Sequence, residues 1–322
     1  MPLQYSKPWL SLPEQLDLLK SRGLLVNDDN AATECLHRNG YYRLSAYWYP
    51  FREIIEGKRS DTFLPDSHFE DARNLYVFDN EFKLHLLDAL ERVEIAVRVE
   101  ISLLLGKRDA FALSNPDIFH PRFVNQRDAK GETKYDKWTE KYEKSVANAK
   151  DEFVKHYERR YGARLPLPIW IAIELWDFGL LSNLYSGLRV GHQGAIANRF
   201  GVPEREIMES WLHSLNYARN VIAHHGRLWN LHLGIPPKLP GHEMMPQLEH
   251  LRNLPNANKR IYSVCCILCH FSRVINPQSS WPRHLVELVG AFPKMPYANI
   301  GAMGFHENWK DESLWKRNEP RA

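Results

Sequence analysis

The stretch from His68 to Arg108, HFEDARNLYVFDNEFKLHLLDALERVEIAVRVEISLLLGKR, decides the fold: it holds one glycine and no proline, and its apolar residues recur at helical spacing. Leu75, Phe78, Phe82, Leu86, Leu90, Val93 and Val97 fall three or four positions apart, the period of one helical face. The run predicts one long helix, or two nearly collinear ones, about 55 Å in length if continuous. Glu91, Arg92, Glu94, Arg98 and Glu100 read as its solvated or ion-paired sides.

Outward from this run the chain keeps a helical grammar. Ser11-Leu12-Pro13-Glu14 is a capping box with proline in the first turn, and Gly23 closes that helix. A second short helix is expected from near Asp28 to Asn39, stopped by Gly40. Residues 106–135 read as a long irregular connection, followed by one charged helix from about Asp136 to Tyr161 whose basic end includes Arg159 and Arg160. A mostly apolar helix interrupted by Glu174, Asp177 and Gly179 is expected from Pro168 to Leu188, a short one from His192 to Phe200, and another opening at Pro203. Pro236, Pro237, Pro240 and Pro246 mark a loop before helices near Asn258–Ile275 and Pro282–Gly290. Neither a period-two strand run nor an internal repeat stands out. The expectation is an all-α fold in a single domain over residues 1–312. It comprises an N-terminal elaboration (1–60), a helical core (68–233), C-terminal helices (234–312) and a frayed tail (313–322).

Composition narrows the function classes. Of 322 residues, 44% are hydrophobic and 25% charged, as in an ordinary globular protein. The net charge is only +3, from 42 basic against 39 acidic residues, so a nucleic-acid partner would need a local basic groove. No window approaches the ~18 apolar residues of a membrane span, and MPLQYSKPWL lacks a signal-peptide core. A cytoplasmic protein with no membrane partner is expected. Cys266-Ile267-Leu268-Cys269-His270 matches a haem-attachment pattern, but that chemistry needs export, and zinc would need a second ligand pair. With Cys265 these read as small buried hydrophobes, and neither metal nor cofactor is expected.

Two segments concentrate polar chemistry. The first is Tyr217-Ala218-Arg219-Asn220-Val221-Ile222-Ala223-His224-His225-Gly226-Arg227-Leu228-Trp229-Asn230, with the spacing Arg-x4-His. At about 100° per residue from Arg219, Asn220 lies near ~100°, His224 near ~140°, Arg227 near ~80° and Asn230 near ~20°. An unbroken helix therefore gathers these five on one arc, opposite Trp211, Leu215, Ala218, Val221, Ile222 and Trp229. His225, near ~240°, would point with the apolar set, although Gly226 can end the helix early. His224 and Arg219, with Asn220 orienting the imidazole or binding phosphate oxygen, are the candidate catalytic residues. The second segment, Gly40 to Arg52, interleaves aromatic rings with arginines. Its rings read mainly as core, while Tyr42 and Arg43 are candidates for stacking a base and holding a phosphate. Arg227 and Asn230 join them as candidate RNA contacts. Arg43 is equally readable as a core ion-pair partner.

RNA can be cut without metal because its own 2′-hydroxyl is the nucleophile. Histidine, with an unperturbed pKa near ~6.5, suits the proton transfers, and arginine matches phosphate oxygens bidentately. One chain offers one such histidine, so a two-fold dimer is expected to bring a second copy to the scissile phosphate.

At RNVIAHHGRLWN, and at KPWLSLPEQLDLLKSRGL, RNGYYRLSAYWYPFR, LPIWIAIELWDFGLLSNLY, SWLHSLNYARN and Ala302-Met303-Gly304-Phe305, the chain resembles the Abi-like (abortive infection, AbiD/AbiF) family of bacterial phage-defence proteins within the HEPN superfamily. The resemblance covers nearly the whole chain. It implies a HEPN-like helical bundle, commonly dimeric, with the motif at a cleft between protomers. It also implies a metal-independent endoribonuclease, often a toxin restrained by a partner and in some cases associated with a small noncoding RNA. Arg219, Asn220 and His224 match the motif, and Glu174 lies in a family-like block as either an acid or an arginine partner. A non-catalytic RNA-binding scaffold and a phage-sensing interaction protein stand as alternatives to the nuclease. A titratable group beside the arginine favours the nuclease, since binding alone does not need one.

Overall fold

A computed structural model describes residues 8–162 and 165–316 of the chain. In chain order the helices are α1 (Leu12–Ser21), α2 (Asp29–Asn39), α3 (Tyr41–Trp48), α4 (Phe69–Gly106), α5 (Pro121–Asn125), α6 (Lys134–Asn148) and α7 (Glu152–Tyr161). There follow α8 (Ile169–Ala172), α9 (Phe178–Gly187), α10 (Val190–Arg199), α11 (Arg205–Ala223), α12 (His250–Asn253), α13 (Ile261–Ile275) and α14 (Trp281–Gly290). The fold is mostly helical, as expected, with a single small antiparallel hairpin of β1 (Arg52–Ile55) and β2 (Lys58–Phe63) among the described residues.

The long apolar run forms one uninterrupted helix. α4 buries Leu75, Phe78, Phe82, Leu86, Leu90, Val93, Val97, Ile101 and Leu105 along one side. It packs against α3, α8, α10, α11, α13 and α14, which makes it the spine of the molecule. The second spine helix, α11, lies against α4, α9, α10 and α13 and buries Met208, Trp211, Leu212, Leu215, Ala218 and Ile222. Buried residues from Leu16 to Trp315 join in one core. The apolar α13 carries Cys265, Cys266 and Cys269 fully inside, where burial pushes the thiols up and keeps them as unreactive packing groups.

Local signals set the first elements. Ser11 and Glu14 make the expected capping box, the Ser11 N–H donating to the Glu14 carboxylate at 2.7 Å. Asp28 caps α2, and Gly40, at φ 78°, separates α2 from α3. The hairpin departs from the all-helical expectation. Its two-residue turn, Glu56-Gly57, has positive φ at both positions, which suits the twist of paired strands. Exposed Ile54 and Ile55 break the alternation that would have marked β1, and Asp61 of β2 ties the hairpin to Arg22 at 2.8 Å and pairs with Arg52 of β1 at 3.2 Å.

Two expected helices are broken. The charged helix divides into α6 and α7, with extended backbone at Ala149 and Asp151 between them. The segment expected as one helix over 168–188 divides at Trp176, whose extended backbone separates the α8 turn from α9, where Asp177 caps with its carboxylate on the Leu180 N–H at 2.6 Å. Of the ten residues expected to fray at the end, Leu314 and Trp315 are buried, the Trp315 indole donating to the Tyr262 hydroxyl at 3.2 Å; residues 317–322 lie outside the described residues. No helix among the described residues is long and apolar enough to cross a membrane.

Three packed histidines give the fold a pH signature. His270 hydrogen-bonds through Nε2 to the Phe200 carbonyl at 2.8 Å, and His85 stacks on Trp281 while bonding its carbonyl at 3.2 Å. His250 Nε2 meets the Tyr262 hydroxyl at 3.0 Å. Burial is the leading cause that holds all three below the ordinary histidine value. Above about pH 6.5 they are neutral in both folded and unfolded chains. Below it the unfolded chain binds protons first, so stability is lost progressively until the folded imidazoles also protonate. The thermal midpoint is expected to fall between pH 7 and pH 5, with a shallower slope in His270→Gln; equal slopes in the two proteins would contradict this assignment.

Candidate active site

The site is built where α11 stops. Its last residue is Ala223, and three backbone bonds close the end: His224 N–H to Asn220 at 3.0 Å, His225 N–H to Ile222 at 2.9 Å and Gly226 N–H to Val221 at 2.8 Å. The last two form a Schellman cap with His225 in the left-handed region at φ 57°. A Cβ at Gly226 would stand 2.9 Å from the Val221 side chain and 3.0 Å from its carbonyl, so the returning chain requires glycine there.

This early stop corrects the expectation of an unbroken helix through Asn230. Arg219 and Asn220 stay on the final turn, half-buried and adjacent, the Arg219 guanidinium 3.4 Å from the Asn220 amide oxygen. His224 follows at the cap, exposed. His225, expected on the apolar face, is exposed because left-handed backbone turns it out of the helical series. Arg227 and Asn230 leave the arc altogether. Arg227 turns inward to donate to the Ala46 carbonyl of α3, and burial lowers its pKa. Asn230 is half-buried, its carbonyl accepting from Arg260 at 3.2 Å while its amide oxygen is buried without a partner.

A buried carboxylate missed in the sequence sets this return. Asp79 of α4, fully buried, accepts from the Trp229 N–H at 2.6 Å, the Leu228 N–H at 3.1 Å and the Tyr47 hydroxyl at 2.6 Å, with Lys83 at 3.4 Å. Its signal was available: position 79 belongs to the core register of Leu75, Phe82 and Leu86, where a charge needs partners.

The aromatic segment arrives on the other side. Arg43 of α3 is exposed and donates to the His225 carbonyl at 3.1 Å, and neighbouring Tyr42 is 91% exposed. Tyr47 and Trp48 are core, so the segment divides between packing and surface as its spacing allows. Arg43 is thus no partner of a buried acid; it braces the cap with one nitrogen and leaves the rest of its fork to solvent.

Behind Arg219 lies a second charged group. Glu94 bonds Arg98 at 2.5 Å on α4, and Arg98 also donates to the Trp176 carbonyl and faces Glu174 at 3.7 Å. Glu174 therefore acts as an arginine partner. Burial raises the Glu94 pKa, against the lowering influence of Arg98 and Arg219. Glu94 and Arg98 form the ion pair that was one of the two expectations for this side of α4, and the bend at Trp176 places that pair under α8 and α9 rather than in solvent. Among the described residues no three histidine, cysteine or acidic side chains stand together as a metal site would need.

The class these features define is a helical protein that presents a guanidinium, an amide and an imidazole at one packed helix end. The family model described as Abi-like protein matches residues 34–230, and the chain belongs to this family, which points to a role in abortive-infection defence against phage. No curated protein and no solved structure matches the chain.

Removing the Asp79 carboxylate (Asp79→Ala) strands two backbone N–H groups and Lys83, and should cost about 3–5 kcal/mol in denaturant unfolding. His225→Gly should instead stabilise by up to about 1 kcal/mol, because glycine adopts the left-handed backbone freely. A destabilised His225→Gly protein would show that the histidine ring contributes more than the backbone costs.

Proposed function

We propose that the protein is a metal-independent endoribonuclease of the HEPN type acting in abortive infection. The observation that carries this reading is the end of α11, where Arg219, Asn220 and exposed His224 occupy one turn beside exposed Arg43 and Tyr42. An imidazole takes the proton of the RNA 2′-hydroxyl, the 2′-oxygen attacks phosphorus, and the bond to the 5′-oxygen breaks as that oxygen is protonated. Arg219 neutralises charge on the phosphorane oxygens. Products carry a 2′,3′-cyclic phosphate and a 5′-hydroxyl.

A second imidazole on the far side of phosphorus comes from a second protomer in this reading. Support lies on α4, where Ile95, Val99 and Leu103 form an exposed apolar stripe at four-residue spacing beside the Glu94–Arg98 pair. A two-fold contact across it would set two motif ends facing each other. Tyr42 and Arg43 then serve as base platform and phosphate contact, and a bound RNA or protein partner restrains the toxin in the cytoplasm. Arg227 and Asn230 act by shaping the segment rather than by touching RNA.

The test is cleavage of single-stranded RNA in the presence of a chelator. Wild type should cut, and His224→Ala should lose at least about 100-fold in rate while still binding RNA. Arg219→Ala should lose both cleavage and affinity. Val99→Glu should yield a folded monomer with cleavage reduced to the same degree. Wild-type cleavage by His224→Ala, or a metal requirement, removes the reading; RNA binding by wild type without cleavage would leave a non-catalytic scaffold.

A further inference from the structure

His224 stands just outside the helix that carries its partners. Arg219 and Asn220 lie on the last turn of α11, whereas His224 is the cap that follows Ala223, at φ −89° and ψ 16°. Its imidazole is exposed and makes no hydrogen bond among the described residues. The ring is therefore placed by its backbone alone: by α11 on one side and by residues 225–227 on the other.

That second side is held by α3, at two points and in opposite senses. The Arg43 guanidinium donates to the His225 carbonyl at 3.1 Å, and the Arg227 guanidinium donates to the Ala46 carbonyl. Positions 43 and 46 lie one turn apart on α3, so both bonds leave one face of that helix. α3 is itself fixed, because Leu44, Tyr47 and Trp48 are buried and the Tyr47 hydroxyl donates to Asp79 at 2.6 Å. The two bonds differ in setting. Arg227 is half-buried and belongs to the packing, whereas Arg43 is exposed, pairs with no carboxylate among the described residues and makes its hydrogen bond to the cap. The residue it grips needs holding: His225 is left-handed at φ 57°, a backbone that residues other than glycine adopt at a cost. With its N–H on Ile222 and its carbonyl on Arg43, His225 is fixed at both ends.

We propose that Arg43 is a positioning residue for His224, holding the cap so that the imidazole keeps its place relative to Arg219. Released from Arg43, the peptide after His225 can turn while Arg219 stays on the helix, and the two groups lose register. The proposal deepens the nuclease reading and rests on it only for the rate; exchange and resonance measurements test it without cleavage. It is distinct from a phosphate contact by the same guanidinium. Removing a phosphate contact weakens affinity and flattens its salt dependence, whereas removing a positioning contact lowers turnover.

Arg43→Ala and Arg43→Lys are compared with wild type as full chains. Arg43→Ala should melt at the wild-type temperature, because the side chain is exposed. In native-state hydrogen exchange its His225 and Gly226 amides should exchange about ten-fold faster, with the interior of α11 unchanged. The His224 Cε1 proton resonance, assigned with His224→Ala, should shift. At saturating single-stranded RNA, kcat should fall about ten-fold. Arg43→Lys, whose ammonium can donate to the same carbonyl, should recover most of each loss. Full turnover by Arg43→Ala at saturating RNA, with its deficit confined to KM and the salt slope, overturns the proposal and leaves a phosphate contact alone. Unchanged exchange and resonance in Arg43→Ala overturn it equally, whether or not RNA is cut. A wild-type protein that cuts no RNA, with the two amides exposed by Arg43→Ala and protected again by Arg43→Lys, would remove the nuclease reading and uphold the Arg43 clasp.

Discussion

A carboxylate inside the protein is tolerated only when its surroundings replace water, and Asp79 is replaced almost completely: two amides, a phenol and an ammonium reach it. The four donors come from three parts of the chain. Tyr47 brings α3, Lys83 belongs to α4 itself, and Leu228 and Trp229 bring the segment after α11. The carboxylate thereby determines where the chain goes once the motif helix has ended. Arg227, drawn in beside it and bound to the Ala46 carbonyl, adds a positive charge to the same interior.

The second constraint is the meeting of α4 and α11. Both bury continuous apolar faces, and both carry polar groups where the faces end. Arg219 would be a costly half-buried cation without the Glu94–Arg98 pair next to it. Trp176 completes that arrangement: its backbone leaves the helical path, and its carbonyl accepts from Arg98 instead of from a following turn. A break that looks like a defect in an apolar helix is thus an acceptor supplied to the charged group behind the motif.

The fold was legible wherever one residue's environment repeats along the chain. The periodicity of α4, the capping box of α1 and the glycine stop after α2 are local facts that tertiary contacts did not override. The split at Ala149 was not legible, because no proline or glycine marks it, whereas Glu174, Asp177 and Gly179 interrupt the apolar run around the split at Trp176, whose carbonyl is answered from a distance by Arg98. At the site, Arg219, Asn220 and His224 were readable from spacing, which holds for one further turn of helix. Arg227, Asn230 and His225 were misplaced because the same arithmetic continued past Ala223, where α11 ends in a cap that Gly226 closes on Val221. Asp79 was overlooked, and Glu94 was named only as a face residue, because a charge on a long amphipathic helix shows its burial only when its neighbours across the core are known.

The contacts that shape the motif segment join residues far apart in the chain. Asp79 and Trp229 are separated by 150 positions, and Arg43 and His225 by 182. Closures of that span form after local helices, because the entropy of a long loop must be overcome before the contact rewards it. During synthesis, α4 can be complete while the residues that answer Asp79 are still inside the ribosome. Arg219 and His224 lie within ten residues of Trp229, so they emerge with it and are held in place only once that segment has closed on Asp79. For a member of the Abi-like family this fixes an order of assembly: the helix end that carries Arg219 and His224 is organised only after the segment reaching Trp229 has left the ribosome and closed on Asp79.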